Sequence, residues 1–283
     1  MFQNIQPHIL NTQYTPEVPL KSTDYIVIIQ QGKLLLKQHA DSQQMPTFAD
    51  LRAAYSTEFT QPNYLLSIEQ HSFFTYDLTL KETTAFKYAS LNALRTLQPE
   101  WLAFAAATAA HLANWYLQNR YCGHCGQALV KGTEERNLIC TNCGAQIFPK
   151  ISPAIIVGVK RNNQLLLTKY AVGYDRYALI AGFVEIGETL EDTVRREVFE
   201  ETGLQVNHIH YYKSQPWAFS QSILMGFFAD IATPDAYTTE EYRSDEAELS
   251  VAKWFDRDKI PLDDTTLSLT WEMIGAFRSG KIK

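Results

Sequence analysis

The chain has 283 residues, 46% of them hydrophobic, and at roughly 100–200 residues per domain it allows about two domains with room for a small third module. That composition supplies a sizeable core and excludes disorder as the main state. With 31 Asp and Glu against 25 Lys and Arg, the formal net charge of −6 excludes a generally phosphate-binding surface and confines any nucleic-acid contact to a local patch.

The first residues, MFQNIQPHIL, lack a basic stretch followed by an apolar run, so they do not read as a secretory signal and the expected compartment is the cytoplasm. From Asp24 to Phe86, short apolar runs such as Tyr25 to Ile29 and Leu34 to Leu36 alternate with polar turns. Gln31-Gly32-Lys33 reads as a hairpin turn. A strand-rich, mixed α/β amino-terminal domain is expected over residues 1–118, with a helical pattern from about Ala89 to Asn119. Its most apolar stretch, Trp101 to Leu117, is interrupted by His111 and Asn114 and falls short of the roughly 20 residues a bilayer requires, so no membrane contact is expected.

All four cysteines lie within residues 119–149, as Cys122-Gly123-His124-Cys125 and Cys140-Thr141-Asn142-Cys143. Two CxxC turns can each point two thiolates at one tetrahedral Zn²⁺, and the Gly after each pair permits a tight knuckle. A closed four-sulfur shell leaves no open position, so the zinc would be structural. A redox pair needs only one exposed CxxC, and two matched pairs weigh against it. Lys131, Glu134, Glu135 and Arg136 nearly balance in the intervening loop, where a nucleic-acid ribbon would be more basic.

A third unit, 150–283, opens with β-rich runs at Ile155 to Val159 and Gln164 to Leu167 joined by Arg161-Asn162-Asn163. The segment Gly182 to Leu204 then carries a helix capped by Thr189 and stopped by Gly203, with Leu190, Val194 and Val198 as its buried stripe. Glu197, Glu200 and Glu201 fall on one side of it, at i, i+3 and i+4, where they repel unless a hard divalent cation lies between them. Arg196, one turn before Glu200, can pair with it. The polar stretch Thr233 to Asp245 reads as a surface loop.

Gly182, Glu188, Arg196, Glu197, Val198, Glu200, Glu201, Gly203 and Leu204 satisfy every defined position of G-x5-E-x7-R-E-U-x-E-E-x-G-U, U being aliphatic. The string resembles the Nudix box of hydrolases that cleave nucleoside diphosphates linked to another group. Downstream, Ser214 to Ser222 resembles the SQPWPFPxS motif of the NADH pyrophosphatase, NudC-like branch, with Ala218 and Ser220 in place of its two later prolines. The resemblance implies an α/β/α Nudix sandwich behind the zinc ribbon, and hydrolysis of NAD(H) to nicotinamide mononucleotide and AMP. It extends to removal of NAD caps from RNA 5′ ends.

By the same resemblance Glu197, Glu200, Glu201 and Glu248 would hold Mg²⁺ or Mn²⁺, with Glu200 or Glu201 as base and Arg196 in support. Phe183 would stack on the nicotinamide ring. Gln215, Trp217, Ser222 and Thr270 would line the substrate site, and Phe148 would serve it from the other subunit of a homodimer. Two readings compete with this one: a Nudix hydrolase of another substrate such as ADP-ribose, and a non-catalytic zinc-ribbon module for nucleic acid.

Overall fold

The computed structural model describes residues 1–40, 42–170, 176–232, 249–261 and 267–282; Glu248 and the stretch Thr233 to Asp245 lie outside them. The chain divides into two compact units, one of Gln3–Lys150 with Ala218–Gln221, the other of Met1–Phe2, Ile151–Trp217 and Ser222–Lys283.

In the amino-terminal unit, β1 (Leu10–Asn11), β2 (Tyr25–Val27), β3 (Ile29–Gln30), β4 (Lys33–His39), β5 (Ser42–Gln44), α1 (Phe48–Ala54), β6 (Asn63–Ile68), β7 (His71–Thr75) and β8 (Phe86–Ser90) precede the long helix α2 (Glu100–Gln118). They form one sheet in the order β1-β6-β7-β2 and a second in the order β3-β4-β5, with β8 also on β4. Gln31 and Gly32, at φ 49° and 72°, make the expected turn between β3 and β4; two successive positive φ values match the twist of a two-residue hairpin. Leu34, Leu35 and Leu36 are all buried, because sheet and packing cover both faces of β4.

The helix expected from Ala89 begins later. Ala89 pairs with Leu34 in the sheet, Leu91–Arg95 is a 3₁₀ turn, and α2 starts after Pro99, which has no N–H to leave unbonded there. Ten of its residues are buried, as its alanine content suggested, and no described helix is long and apolar enough to cross a membrane. Beyond α2, β9 (Leu129–Lys131), β10 (Leu138–Cys140) and β11 (Gln146–Ile147) form a small antiparallel ribbon.

The carboxy-terminal unit contains β12 (Ser152–Arg161), β13 (Gln164–Tyr170), β14 (Ile180–Phe183), α3 (Leu190–Thr202), β15 (Val206–Trp217), β16 (Ser222–Ile231), β17 (Leu249–Asp256) and α4 (Leu269–Arg278). Its sheet runs β15-β16-β12-β13-β17 with β14 also on β12, and the β12–β16 pair is parallel. Period-two alternation builds the layers. Ile155, Val157 and Val159 pack with Val194 and Val198 of α3, whereas Ile156, Leu165 and Leu167 pack with Met273, Ile274 and Phe277 of α4. The sheet therefore separates two cores, and the expected α/β/α sandwich forms.

Candidate active site and zinc centre

The segment that bears the glutamates is locally over-determined. Thr189 Oγ1 accepts the Asp192 N–H at 3.1 Å at the start of α3. Gly203 ends the helix at φ 70°, donating its N–H to the Phe199 carbonyl at 2.7 Å. Val194 and Val198 are fully buried, which turns the opposite side, with Arg196 and Glu200, outward.

Arg196 joins everything around it. Its Nε and Nη2 donate to Glu188 Oε1 and Oε2 at 2.6 and 3.0 Å, and its Nη1 donates to Glu197 at 2.9 Å and to Glu200 at 3.0 Å. Nη2 also donates to the Phe183 carbonyl at 3.0 Å, so all five guanidinium N–H groups are used. Glu188 further accepts from the Glu185 N–H at 3.1 Å and the Thr193 hydroxyl at 2.8 Å. These bonds, that to Arg196 first, bring its carboxyl down to about 2. No role was read for Glu188 from the sequence, although its eight-residue spacing to Arg196 within the box was the available signal.

The three helix carboxylates are not equivalent. Glu200 is 57% exposed at its side chain, Glu197 13%, and Glu201 is buried. A Cβ at Gly182 would overlap the Glu197 carboxylate, so the first Gly of the box is the cradle in which that carboxylate rests. All three donors are hard oxygens suited to Mg²⁺ or Mn²⁺. Glu197 and Glu200 converge on one nitrogen of Arg196, so the guanidinium supplies the positive charge between them here.

The apolar residues expected at the substrate stand on the other face of the sheet. Gly182 turns toward α3, so Phe183, next on β14 and 52% exposed, turns toward the α4 face. The cross-strand row Phe183, Ala154, Leu224, Gln215 shares that face. Gln215 also bonds within the protein. Fully buried, it donates from Nε2 to the Leu267 carbonyl at 2.9 Å and accepts the Leu269 N–H at 2.7 Å, so its amide holds the start of α4. Trp217, two residues on, is partly exposed and cross-strand from the buried Ser222; Thr270 is partly exposed in the first turn of α4.

In the amino-terminal unit the four cysteines converge, their ligand atoms all within 4.8 Å of one another. Among the described residues no other group of three or more His, Cys, Asp or Glu does so. Sulfurs at 2.3 Å from a tetrahedral zinc would stand roughly 3.8 Å apart. Here Cys122–Cys143, Cys125–Cys140 and Cys125–Cys143 measure 3.6, 3.4 and 3.7 Å.

The two knuckles repeat one another: Gly126 N–H donates to Cys122 O and Gly144 N–H to Cys140 O, with φ near +75° at both glycines. A backbone N–H from Gln127, then Asn142 and Cys140, hold the Cys125 thiol down, whereas at Cys143 the Ala145 N–H is outweighed by the neighbouring Cys140 and Cys122 sulfurs, which push the thiol up. The cluster fits a structural zinc. His124 is exposed and Phe148 is 49% exposed. Arg136, read from the sequence as one charge among four, instead donates to the Tyr64 and Leu65 carbonyls at 3.3 and 2.6 Å and stacks over Tyr14.

Residues 150–273 match the NUDIX domain family, residues 117–148 the NADH pyrophosphatase zinc ribbon domain, and residues 23–115 the NADH pyrophosphatase-like rudimentary NUDIX domain. The "NAD-capped RNA hydrolase NudC" of Photorhabdus laumondii is 39% identical over 160 residues, 56% of this chain and 59% of that protein. The protein of the same name from Escherichia coli O157:H7 is 38% identical over the same shares. The chain thus spans less than two thirds of the length of these relatives. The Haemophilus influenzae PittGG protein of that name is 37% identical over 183 residues, 63% of this chain and 67% of that protein. With the box, the ribbon and the rudimentary domain all matched in this order, the chain belongs to the NudC-like NADH pyrophosphatase branch of the Nudix family.

Proposed function

We propose that the chain is a metal-dependent pyrophosphohydrolase that cleaves NAD(H) with water to nicotinamide mononucleotide and AMP, and that it removes NAD caps from RNA 5′ ends. The observation that carries this is the dipeptide Gly182-Phe183. One residue cradles a carboxylate, the next offers an exposed aromatic ring on the opposite face, and Arg196 bonds both the Phe183 carbonyl and the carboxylates. A dinucleotide laid over this strand end would place its ring on Phe183 and its pyrophosphate at the glutamates, with Trp217 and Thr270 shaping the ring side and Ser222 supporting Trp217.

Glu197, Glu200 and Glu201 are the residues that would hold Mg²⁺ or Mn²⁺, with Glu248 supplying a further carboxylate. Such a cation neutralises pyrophosphate oxygens and polarises phosphorus. Arg196 holds Glu197 and Glu200 in place while substrate arrives, and one of Glu200 and Glu201 accepts the proton of the attacking water. The P–O–P bond breaks, one phosphate takes the water oxygen and the other leaves. We place the protein in the cytoplasm, where free thiols persist to bind zinc.

The test is to incubate the chain with NADH, NAD, ADP-ribose and NAD-capped RNA, with and without Mn²⁺, using Glu201→Gln as the control. Metal-dependent release of AMP and nicotinamide mononucleotide, lost in the control, supports the proposal. Faster turnover of ADP-ribose would favour the alternative that Ala218 and Ser220 suggest, a Nudix hydrolase of broader choice. Hydrolysis of none of the four would leave the non-catalytic reading.

A further inference from the structure

The turn that joins β15 to β16 is part of the amino-terminal unit. The chain leaves the carboxy-terminal unit after Trp217, runs through Ala218–Gln221 in the amino-terminal one, and returns at Ser222. Left to itself this turn would be weak. Ala218–Ser220 is a single 3₁₀ turn, closed by the Gln221 N–H on the Ala218 carbonyl at 3.2 Å, and residues 218–221 include no proline to fix the backbone. Gln221 also sits at φ 54°, a left-handed value that is costly for a residue other than glycine. A turn of this kind needs an anchor from outside. Arg95 supplies one, with its guanidinium carbon 6.0 Å from the centre of the half-buried Phe219 ring.

Arg95 is itself firmly mounted. It ends the 3₁₀ turn Leu91–Arg95 between the buried Leu94 and Leu97, and the next residue, Thr96, donates both its N–H and its hydroxyl to the Ala93 carbonyl, at 3.3 and 3.2 Å. At the other end of the contact, Phe219 lies two residues from Trp217 and three from Ser222, and those two stand directly opposite one another across β15 and β16. Fixing the Phe219 ring therefore fixes the backbone that aims Trp217. We propose that Arg95 is a positioning residue for substrate choice: from the amino-terminal unit it holds Phe219, and through the short turn it sets Trp217 against the ring of the bound dinucleotide. The role of Trp217 in this rests on the activity proposed above. The rudimentary domain thereby takes part in reading the substrate without contacting it through Arg95.

Hydrogen exchange and calorimetry on the zinc-loaded full chain read this role without requiring turnover. In Arg95→Ala the amides of residues 217–222 should exchange several times faster than in wild type. The Kd of NADH, titrated without divalent cation, should rise by about three- to fivefold, the range that one partly exposed cation–π contact supports. The Kd of ADP-ribose, which has no ring at that end, should change little, and so should kcat for NADH, because the contact is the same in the ground and transition states. Arg95→Lys keeps a cation near the ring and should restore most of both effects, which a purely space-filling role would not allow. Wild-type exchange and wild-type Kd in Arg95→Ala overturn the proposal. So do equal losses for NADH and ADP-ribose, which would make Arg95 a general support of the fold, or a lysine variant no better than the alanine one. A wild type that binds NADH without cleaving it would defeat the proposed activity and leave the positioning role standing.

Discussion

Gly182 is the sharpest test of the site at the scale of single residues. The atoms a methyl group would overlap are the tip of the flexible Glu197 side chain, so strand and helix can stay in place while the carboxylate swings away. Gly182→Ala should therefore cost little stability, under about 1 kcal/mol, yet lower kcat by on the order of a hundredfold through misplacement of a metal ligand. Thermal melting beside steady-state rates checks both halves, and a variant of near wild-type activity would remove Glu197 from the metal site.

Glu188 makes a different prediction. Its carboxyl, ordinarily near 4.5, is held at about 2 chiefly by Arg196, so its ion pair stabilises the fold fully above about pH 4.5 and is lost as pH falls toward 2. Denaturant unfolding of wild type and Glu188→Gln should differ by a constant amount above that window and by progressively less within it. Phe183→Ala should weaken use of nicotinamide dinucleotides by about one to two powers of ten, the equivalent of roughly 1–3 kcal/mol of stacking. Hydrolysis of ADP-ribose, which has no ring at that end, should fall less; equal loss in kcat/KM for both would make Phe183 a packing residue.

Among elements, those whose chemistry is local were legible in the sequence. The zinc knuckles and the capped helix α3 announce themselves by residue type and spacing, because their hydrogen bonds close within a few residues. The start of α2 was not legible, since Ala89 is drawn into the sheet by Leu34, a partner far away in sequence. Nor were the grips of Gln215 on Leu267 and Leu269 or of Arg136 on Tyr64 and Leu65, because the carbonyls they bind carry no mark in the sequence. Those Arg136 bonds tie the ribbon to β6, and the Tyr14 hydroxyl, donating to the Gly132 carbonyl, ties it to the segment that follows β1. Cys122→Ser should thus lose zinc and lower the melting temperature of the whole amino-terminal unit, since metal-binding energy there is folding energy. Metal analysis with calorimetry would count against this if zinc content and melting were unchanged.

For the whole molecule the prediction concerns assembly. Tyr121, Val130 and Phe148 leave apolar surface exposed on the ribbon, and we expect a homodimer in which Phe148 serves the partner's site. Light scattering should give twice the 32.3 kDa chain mass, and Phe148→Ala should lower activity without changing metal content. An active monomer at working concentration would exclude it.

The paired knuckles carry one more consequence, for how this protein tolerates change. Each closes its own loop through a Gly N–H to the first cysteine's carbonyl, so each is a preformed half-site and the metal has only to join two pincers across the 14 residues from Gly126 to Ile139. Joining costs rise slowly with loop length, by roughly 0.6 kcal/mol for each doubling. The metal alone would thus permit insertions almost anywhere in that stretch. Arg136 does not, because its reach to β6 depends on its distance from β10. Extra residues between Gly132 and Glu135 should be accommodated, whereas one residue added between Arg136 and Leu138 would pull the guanidinium out of register while leaving all four sulfurs on the zinc.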